Sequence, residues 1–587
     1  MRRWIRRLCA AGAGFLFVIC PEQAPAQEPD YDIVYVRWPR RGTEILLLPQ
    51  AEDPYRVEPG ADLVLLHPDQ SEEVLVDCDT CCVQDPTISF DGEWVYYTKM
   101  LDARNERSPS LLFKMHIAGP NTDRKELQLT YADGFTGSFH SGNNHPDDNL
   151  AHHFSIRDMG PAPIPGGRIV FTSNRQATIA FRQGSAFSVS DARDSSVMQL
   201  YVMDDHDGRL RTSDLSNLRQ VGFGSLHMTL HPMVLQDGRI AFSNWDDGGG
   251  KFLYAMTTLY VMNPDGSHLE ALTEPHDHHK NVDHFATQLS DGSIVVAQYY
   301  PSFNFGFGHL CRFPMNVDEP AYTRSPSKAV ETYTGGQISF RNFDRKGWVS
   351  VTPHTSPSDC PAPNFSGKYC MPCAAPRGSC LVAYSPGGVN HNLTCSEGKI
   401  QVVDSGIYLI PDAVNGAVYD PRDSRQLVEI VNDPRYNEIW PRAVLPYMEV
   451  HGVREPRRLA WHDAALPEDD RVAPGEPVAV VGTSSLYNRE SAPLGGDPFR
   501  ASDGRELHSG AWTLQGSEAG VIKNSDIYAV RLIAVSPKPF RSPISRFGAN
   551  SEDHAAARRY LYDRREDTFV EGYASAHSER WKILAEI

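Results

Sequence analysis

Apolar and polar positions alternate along most of this chain in a short unit that recurs. Its clearest copy runs from Leu259 to Tyr299. Leu259 to Met262 reads as a strand, and Asn263-Pro264-Asp265-Gly266 turns it. A second short strand ends at Leu272-Thr273. After a polar stretch, Gln288 to Ser290 passes through Asp291-Gly292 into the strand Ile294 to Ala297. Asp-Gly between alternating apolar residues is a strong hairpin signal, because glycine takes the positive φ that the turn needs.

The unit has relatives. Leu200 to Gly208 repeats Leu259 to Gly266, and Ile407 to Pro411 and Leu63 to Asp69 are weaker copies. The hairpin returns at Ser89 to Thr98, Ile164 to Ser173 and Leu235 to Asn244. Repeats of strands with two hairpins per unit predict the blades of a β-propeller. Helical solenoids need a helical period, which is missing. The fold class is therefore all-β, a propeller over residues 31–446. It has six blades, or seven if Glu331 to Thr352 holds another. In chain order the blades carry Leu63 to Leu66; Trp94 to Thr98 with Leu111 to Ile117; Arg168 to Thr172 with Gln199 to Met203; Arg239 to Ser243 with Leu259 to Met262; Ile294 to Gln298; and Cys380 to Tyr384 with Gly406 to Ile410. The early strand Asp32 to Arg37 is placed to close the ring by completing the last blade, which removes exposed sheet edges.

From Met448 the repeat stops. A run rich in proline and charge, Arg454 to Pro477, leads to a small β-rich region at 478–587. Val478 to Gly482, Asp526 to Val535 and Arg580 to Glu586 read as strands there, and Glu552 to Asp567 as a helix. At the other end, residues 1–26 read as a secretory signal peptide. Arg2, Arg3, Arg6 and Arg7 precede the apolar run Leu8 to Cys20, and Ala24-Pro25-Ala26 is a small-residue cleavage site. The expectation is export to the periplasm or beyond, with cleavage after Ala26. No later stretch is apolar and long enough for a membrane helix.

Charge narrows the partners. A formal net charge of −18 argues against nucleic acid, whose phosphates repel an acidic surface. Nine of the eleven cysteines lie beyond Ala26. In an oxidising compartment they read first as disulfides, with Cys78, Cys81, Cys360, Cys370, Cys373, Cys380 and Cys395 the candidates. Zinc at Cys370-Met-Pro-Cys373 is the weaker reading, since no second CxxC pair sits at a matching distance.

Several segments taken in order resemble a known family: DPTISFDGEWVYYTKM, GGRIVFTSNR, QDGRIAFSNWDD, SGIYLIPD, VGTSSLYNRES and ERWKILAEI. Together they resemble the hydrazine synthase alpha subunit and its relatives, whose middle domain is a propeller of TolB-like, WD40-like repeats. In that family the chain continues into c-type haem motifs. Here Cys78-Asp-Thr-Cys81 is followed by Cys82, and Cys370-Met-Pro-Cys373 by Ala374. Covalent haem needs Cys-x-x-Cys-His. The family's haem ligands and nitrogen redox chemistry are therefore not carried over, and no covalent haem is expected.

No GxSxG, HExxH or P-loop is present, so no complete catalytic motif supports an enzyme. The dense constellation is histidine. His276, His278, His279 and His284 accompany Asp277 and Asp283; His227 and His231 stand one blade earlier; His152 and His153 stand one blade before that with Asp158. If these precede innermost strands, the ring brings His152, His153, His227, His231, His279 and His284 toward one channel mouth. Imidazoles converging there suit a divalent metal or an anion. The competing reading is loop histidines in water. The functional expectation is a ligand- or partner-binding scaffold, taking a periplasmic protein or a small ligand at the channel mouth. The alternative is a haem-free or metal-binding component of a redox complex that pairs with a separate cytochrome.

Overall fold

The computed structural model describes most of residues 28–459 and four short strands beyond them. The longest segments outside the described residues before 459 are 41–56, 139–152, 181–194, 314–329 and 390–402. Residues 1–26, expected as a signal peptide, and residues 478–482 and 552–567 also lie outside. Six four-stranded antiparallel sheets form a six-bladed β-propeller. Blade 2 comprises Cys82–Ile88, Trp94–Met100, Ser110–His116 and Glu126–Gln128. Blade 3 comprises Asp158–Ile164, Arg168–Ser173, Gln199–Asp204 and Arg219–Gln220. Blade 4 comprises His227–Val234, Ile240–Asp246, Thr257–Met262 and Glu270–Ala271. Blade 5 comprises Val282–Gln288, Ile294–Tyr299, His309–Phe313 and Val349–Ser350. Blade 6 comprises Lys368–Ala375, Ser379–Ser385, Gly406–Ile410 and Val428–Val431. The stretch that left a seventh blade open resolves otherwise. Val330–Glu331 pairs with Gln337–Ile338 as a two-residue ribbon, and Val349–Ser350 is the outer strand of blade 5.

Blade 1 is built from both ends of the ring. Ile33–Pro39, Asp62–Leu66 and Glu72–Val76 come from the start, and the innermost strand, Tyr436–Ala443, comes from the end. Ile33 faces Ala443 and Pro39 faces Tyr436 in the pairing. Arg40 N–H donates to the Arg435 carbonyl at 2.8 Å, and Val444 N–H to Asp32 at 2.9 Å, fastening the two ends of that seam.

The strands are apolar on both faces because each blade is buried between two neighbours. In blade 4, Ile240 and Phe242 pack toward blade 3 with Val170, Leu200 and Val202. Their alternates Ala241, Leu259 and Val261 pack toward blade 5 with Val296 and Phe313. Blades 2 and 3 meet through Tyr96, Leu112, Phe171 and Tyr201, and blades 1 and 6 through Tyr35, Val64, Leu409 and Ile430. The Asp-Gly turns hold as the sequence implies. Gly92, Gly238, Gly266 and Gly292 all have positive φ. The preceding aspartates Asp91, Asp237, Asp265 and Asp291 accept from the backbone N–H two residues on, each at 3.0 Å.

Beyond the ring, Arg531–Val535 pairs with Trp581–Glu586, and Phe499–Arg500 with Glu506–Leu507. No helix among the described residues is long and apolar enough to cross a membrane.

Candidate binding site in the channel

The six innermost strands share a feature. Each carries a bulge, one extra residue at the same point of the strand, and that residue has positive φ. The six are Asp85, Gly160, His231, Phe285, Met371 and Trp440. The register skips there in every blade. Proline follows in five of the six: Pro86, Pro161, Pro232, Pro372 and Pro441. A bulge leaves its extra residue outside the ladder, so a residue without an N–H is tolerated there. A non-glycine residue at positive φ is strained. Such strain persists only where the surroundings over-determine it, and it gathers at functional sites.

The bulges form the inner wall of a cavity of about 190 Å³ on the channel axis, to which all six innermost strands contribute. Its other wall includes the helix Tyr447–His451, which follows the closing strand. The helix is tied to the ring: Tyr447 N–H donates to the Phe90 carbonyl at 2.8 Å. The chain then crosses the turn of blade 4, where Arg457 N–H donates to Gln236 O at 2.9 Å. The approach is close enough that a Cβ on Gly238 would fall 1.9 Å from the Arg457 carbonyl oxygen.

A chain of polar groups crosses three blades and reaches this wall at His231 and Asp85. Tyr299 Oη lies 2.7 Å from His284 Nδ1, and His284 Nε2 lies 2.6 Å from His231 Nδ1. His231 Nε2 lies 3.1 Å from Asp85 Oδ1. Burial, reinforced by the neighbouring His231, pushes the His284 imidazole well below its usual range, so it is neutral. One arrangement of protons satisfies both contacts of His284. Tyr299 O–H donates to His284 Nδ1, His284 Nε2–H donates to His231 Nδ1, and His231 Nε2–H faces the Asp85 carboxylate. The last contact lacks hydrogen-bond alignment, so Asp85 Oδ1 accepts no hydrogen bond although Asp85 is 3% exposed. Trp440 Nε1 and Tyr447 Oη, in the same wall, are also buried without a hydrogen-bond partner. Phe285 and Trp440 stand edge to face at 5.1 Å, and His231 lies 5.0 Å from Phe285 and 5.1 Å from Trp440 between ring centres.

Of the histidines expected to converge, the structure brings together His231 and His284. Both lie within innermost strands rather than in the loops before them. His227 opens the innermost strand of blade 4, and His153 belongs to a two-residue strand paired with Gly137–Ser138. His152 and His279 lie outside the described residues. His231 and His284 face each other at hydrogen-bonding distance, and no group of three or more ligand-type side chains among the described residues is placed to hold a metal. Asp158 is buried against Arg175 and Ser173 and does not enter the channel site. Sequence reasoning missed Asp85, Tyr299, Trp440 and Tyr447. The available signal was proline recurring where an innermost strand had to run.

Cys78 and Cys81 form a disulfide. The expectation of further bridges needs correcting for Cys370, Cys373 and Cys380, which hold free thiols. Cys373 pairs with Leu381 and Ala374 with Cys380, so Cys373 and Cys380 are offset by one position. Their Cβ bonds leave opposite faces of the sheet, which is poor disulfide geometry. Cys360 and Cys395 lie outside the described residues.

No protein-family model matches this chain, and no curated protein does. Solved structures resemble it at the level of the fold. Kuenenia stuttgartiensis hydrazine synthase aligns over 74% of this chain and 48% of its own, with TM-score 0.45 and 16% identity. A puromycin hydrolase aligns over 70% and 55%, with TM-score 0.32 and 14% identity. An ulvan lyase aligns over 64% and 81%, with TM-score 0.31 and 10% identity. The chain spans about half the length of the first two.

Proposed function

We propose that this chain is an exported binding module, without a haem of its own, that takes a small ligand in its central channel between the bulge ring and the helix Tyr447–His451. One observation carries the reading: Asp85 Oδ1, Trp440 Nε1 and Tyr447 Oη, from three separate elements, are buried in the wall of one cavity without hydrogen-bond partners. Buried polar groups are nearly always paired, so orphans in a shared cavity are sites where a ligand or water completes the bonding. A mostly apolar cavity with a few converging polar groups is the usual form of a small-molecule site.

The test is thermal unfolding of purified protein against a library of small metabolites. Ligands that raise the transition temperature of the wild type should lose that effect in Ala286→Phe. That change fills the cavity from blade 5 without replacing any of the polar groups. A ligand that stabilises both proteins equally binds elsewhere, and that result would remove the channel reading.

A further inference from the structure

We propose that the ligand is a small zwitterion of the amino-acid type, its ammonium group on Asp85 and its carboxylate on Arg442 and the Trp440 N–H. The inference rests on the channel-site reading above and adds the chemical class.

Among the residues that line the cavity, Asp85 is the one carboxylate and Arg442 the one guanidinium. Neither is closed off by an opposite charge in a full hydrogen-bonded pair. Asp85 Oδ1 has His231 Nε2 beside it at 3.1 Å but accepts no hydrogen bond, and on Oδ2 the Thr98 hydroxyl is 3.5 Å away. A buried carboxylate left with open lone pairs favours a donor that brings positive charge. Arg442 Nη1 donates to the Pro441 carbonyl at 2.8 Å, and its guanidinium lies 5.6 Å from the centre of the Trp440 ring. It has no carboxylate partner among the described residues. Trp440 Nε1 adds a donor with nothing to donate to.

A simple cation answers Asp85 but is repelled by Arg442. A simple anion answers Arg442 and Trp440 but meets Asp85. A neutral polyol pairs the orphan atoms and leaves both charges uncompensated. One molecule carrying both charges completes all three groups. The aromatic rings of Phe285, Trp440 and Tyr447 supply faces that favour an ammonium head. The cavity volume of about 190 Å³ restricts the ligand to a small molecule.

The experiment is calorimetric titration of the full chain with glycine, β-alanine and γ-aminobutyrate, alongside butylammonium, butyrate and 1,4-butanediol. At least one zwitterion should bind, with both singly charged compounds and the diol at least tenfold weaker. Asp85→Asn and Arg442→Gln should each weaken that zwitterion at least tenfold, and Arg442→Lys should retain more of the affinity than Arg442→Gln. Unfolding curves of each variant separate a lost contact from a lost fold. If butylammonium, butyrate or the diol binds as well as any zwitterion, and Ala286→Phe abolishes it, the zwitterion assignment falls while the channel site stands. If nothing in the panel binds, the assignment falls. If a zwitterion binds equally to wild type and Ala286→Phe, the assignment falls together with the channel reading.

Discussion

Between about pH 4.5 and 8, four buried side chains make stability depend on pH. His284 is held well below its usual range by burial and by His231. Burial, then Lys368, lowers His309 to about 3, and burial lowers His451 to about 4. Below about pH 6.5 the unfolded chain binds protons on these rings that the folded protein refuses. Stability therefore falls as pH drops from about 6.5 toward 4. Glu438, in the innermost strand of blade 1, acts in the opposite direction. Burial raises its carboxyl from 4.5 to about 8, so the folded protein keeps a proton that the unfolded chain releases. Stability from this group is lost as pH rises from about 4.5 to 8. Three imidazoles outweigh one carboxyl in acid, and the carboxyl prevails once the imidazoles are neutral in both states. Urea midpoints should peak near pH 7. Glu438→Gln should flatten the alkaline limb, and His451→Gln should make the acid limb shallower. A midpoint that does not change between pH 7 and 8 in the wild type would show that Glu438 is ionised in the fold.

At the scale of elements, the bulged innermost strand organises the molecule. Gly160 occupies the bulge of blade 3 at φ 61°, where a Cβ would come 3.2 Å from Pro232 Cδ of the neighbouring bulge. Gly160→Ala should cost about 1–2 kcal/mol from the left-handed backbone alone, read as a lowered urea midpoint. Gly238→Ala tests a different contact. Its Cβ meets the Arg457 carbonyl, so the change should lift residues 445–459 from the turn of blade 4 and open them to protease nicking. A digestion pattern identical to that of the wild type would mean the strap is not held there. These strands also show where sequence reading reached its limit. The outer strands and Asp-Gly turns were legible because their signals are local: β-branched runs, and aspartate with glycine at fixed offsets. Blade boundaries followed from them, but the ring closes the other way round from the expectation: the late strand Tyr436–Ala443 completes the first blade, whereas Ile33–Pro39 does not complete the last. The innermost strands were not legible, because Asp85-Pro86, His231-Pro232 and Trp440-Pro441 contradict strand propensity and fit only as bulges stabilised by five neighbours. The His231–His284 contact joins residues 53 apart in sequence. It depends on bulge geometry rather than on spacing to the next turn, so counting residues from the glycines led to the loops before these strands instead of into them.

At the scale of the whole molecule, closing the ring and building the site are one event. Tyr436–Ala443 is the innermost strand of blade 1, and it also places Trp440 and Arg442 in the cavity wall. The helix that completes the cavity follows directly. Without this strand, Ile33–Pro39 becomes an open edge, and Val36, Trp38 and Tyr35 lose the surface that covers them. An exposed edge of this kind invites pairing with other chains. A chain ending at Asn432 should therefore keep β-type far-UV circular dichroism from blades 2 to 6, lose its near-UV signal, bind a hydrophobic dye and aggregate. A peptide spanning residues 433–459, added in trans, supplies the missing strand by the same antiparallel register and should restore the near-UV signal. It should restore ligand binding over the same concentration range, since the peptide carries Trp440, Arg442 and Tyr447. Recovery of the near-UV signal without recovery of binding would separate the two events and move the site away from the closing strand. A truncated chain with the unfolding midpoint of the intact protein would show that five blades hold the ring without the sixth being closed.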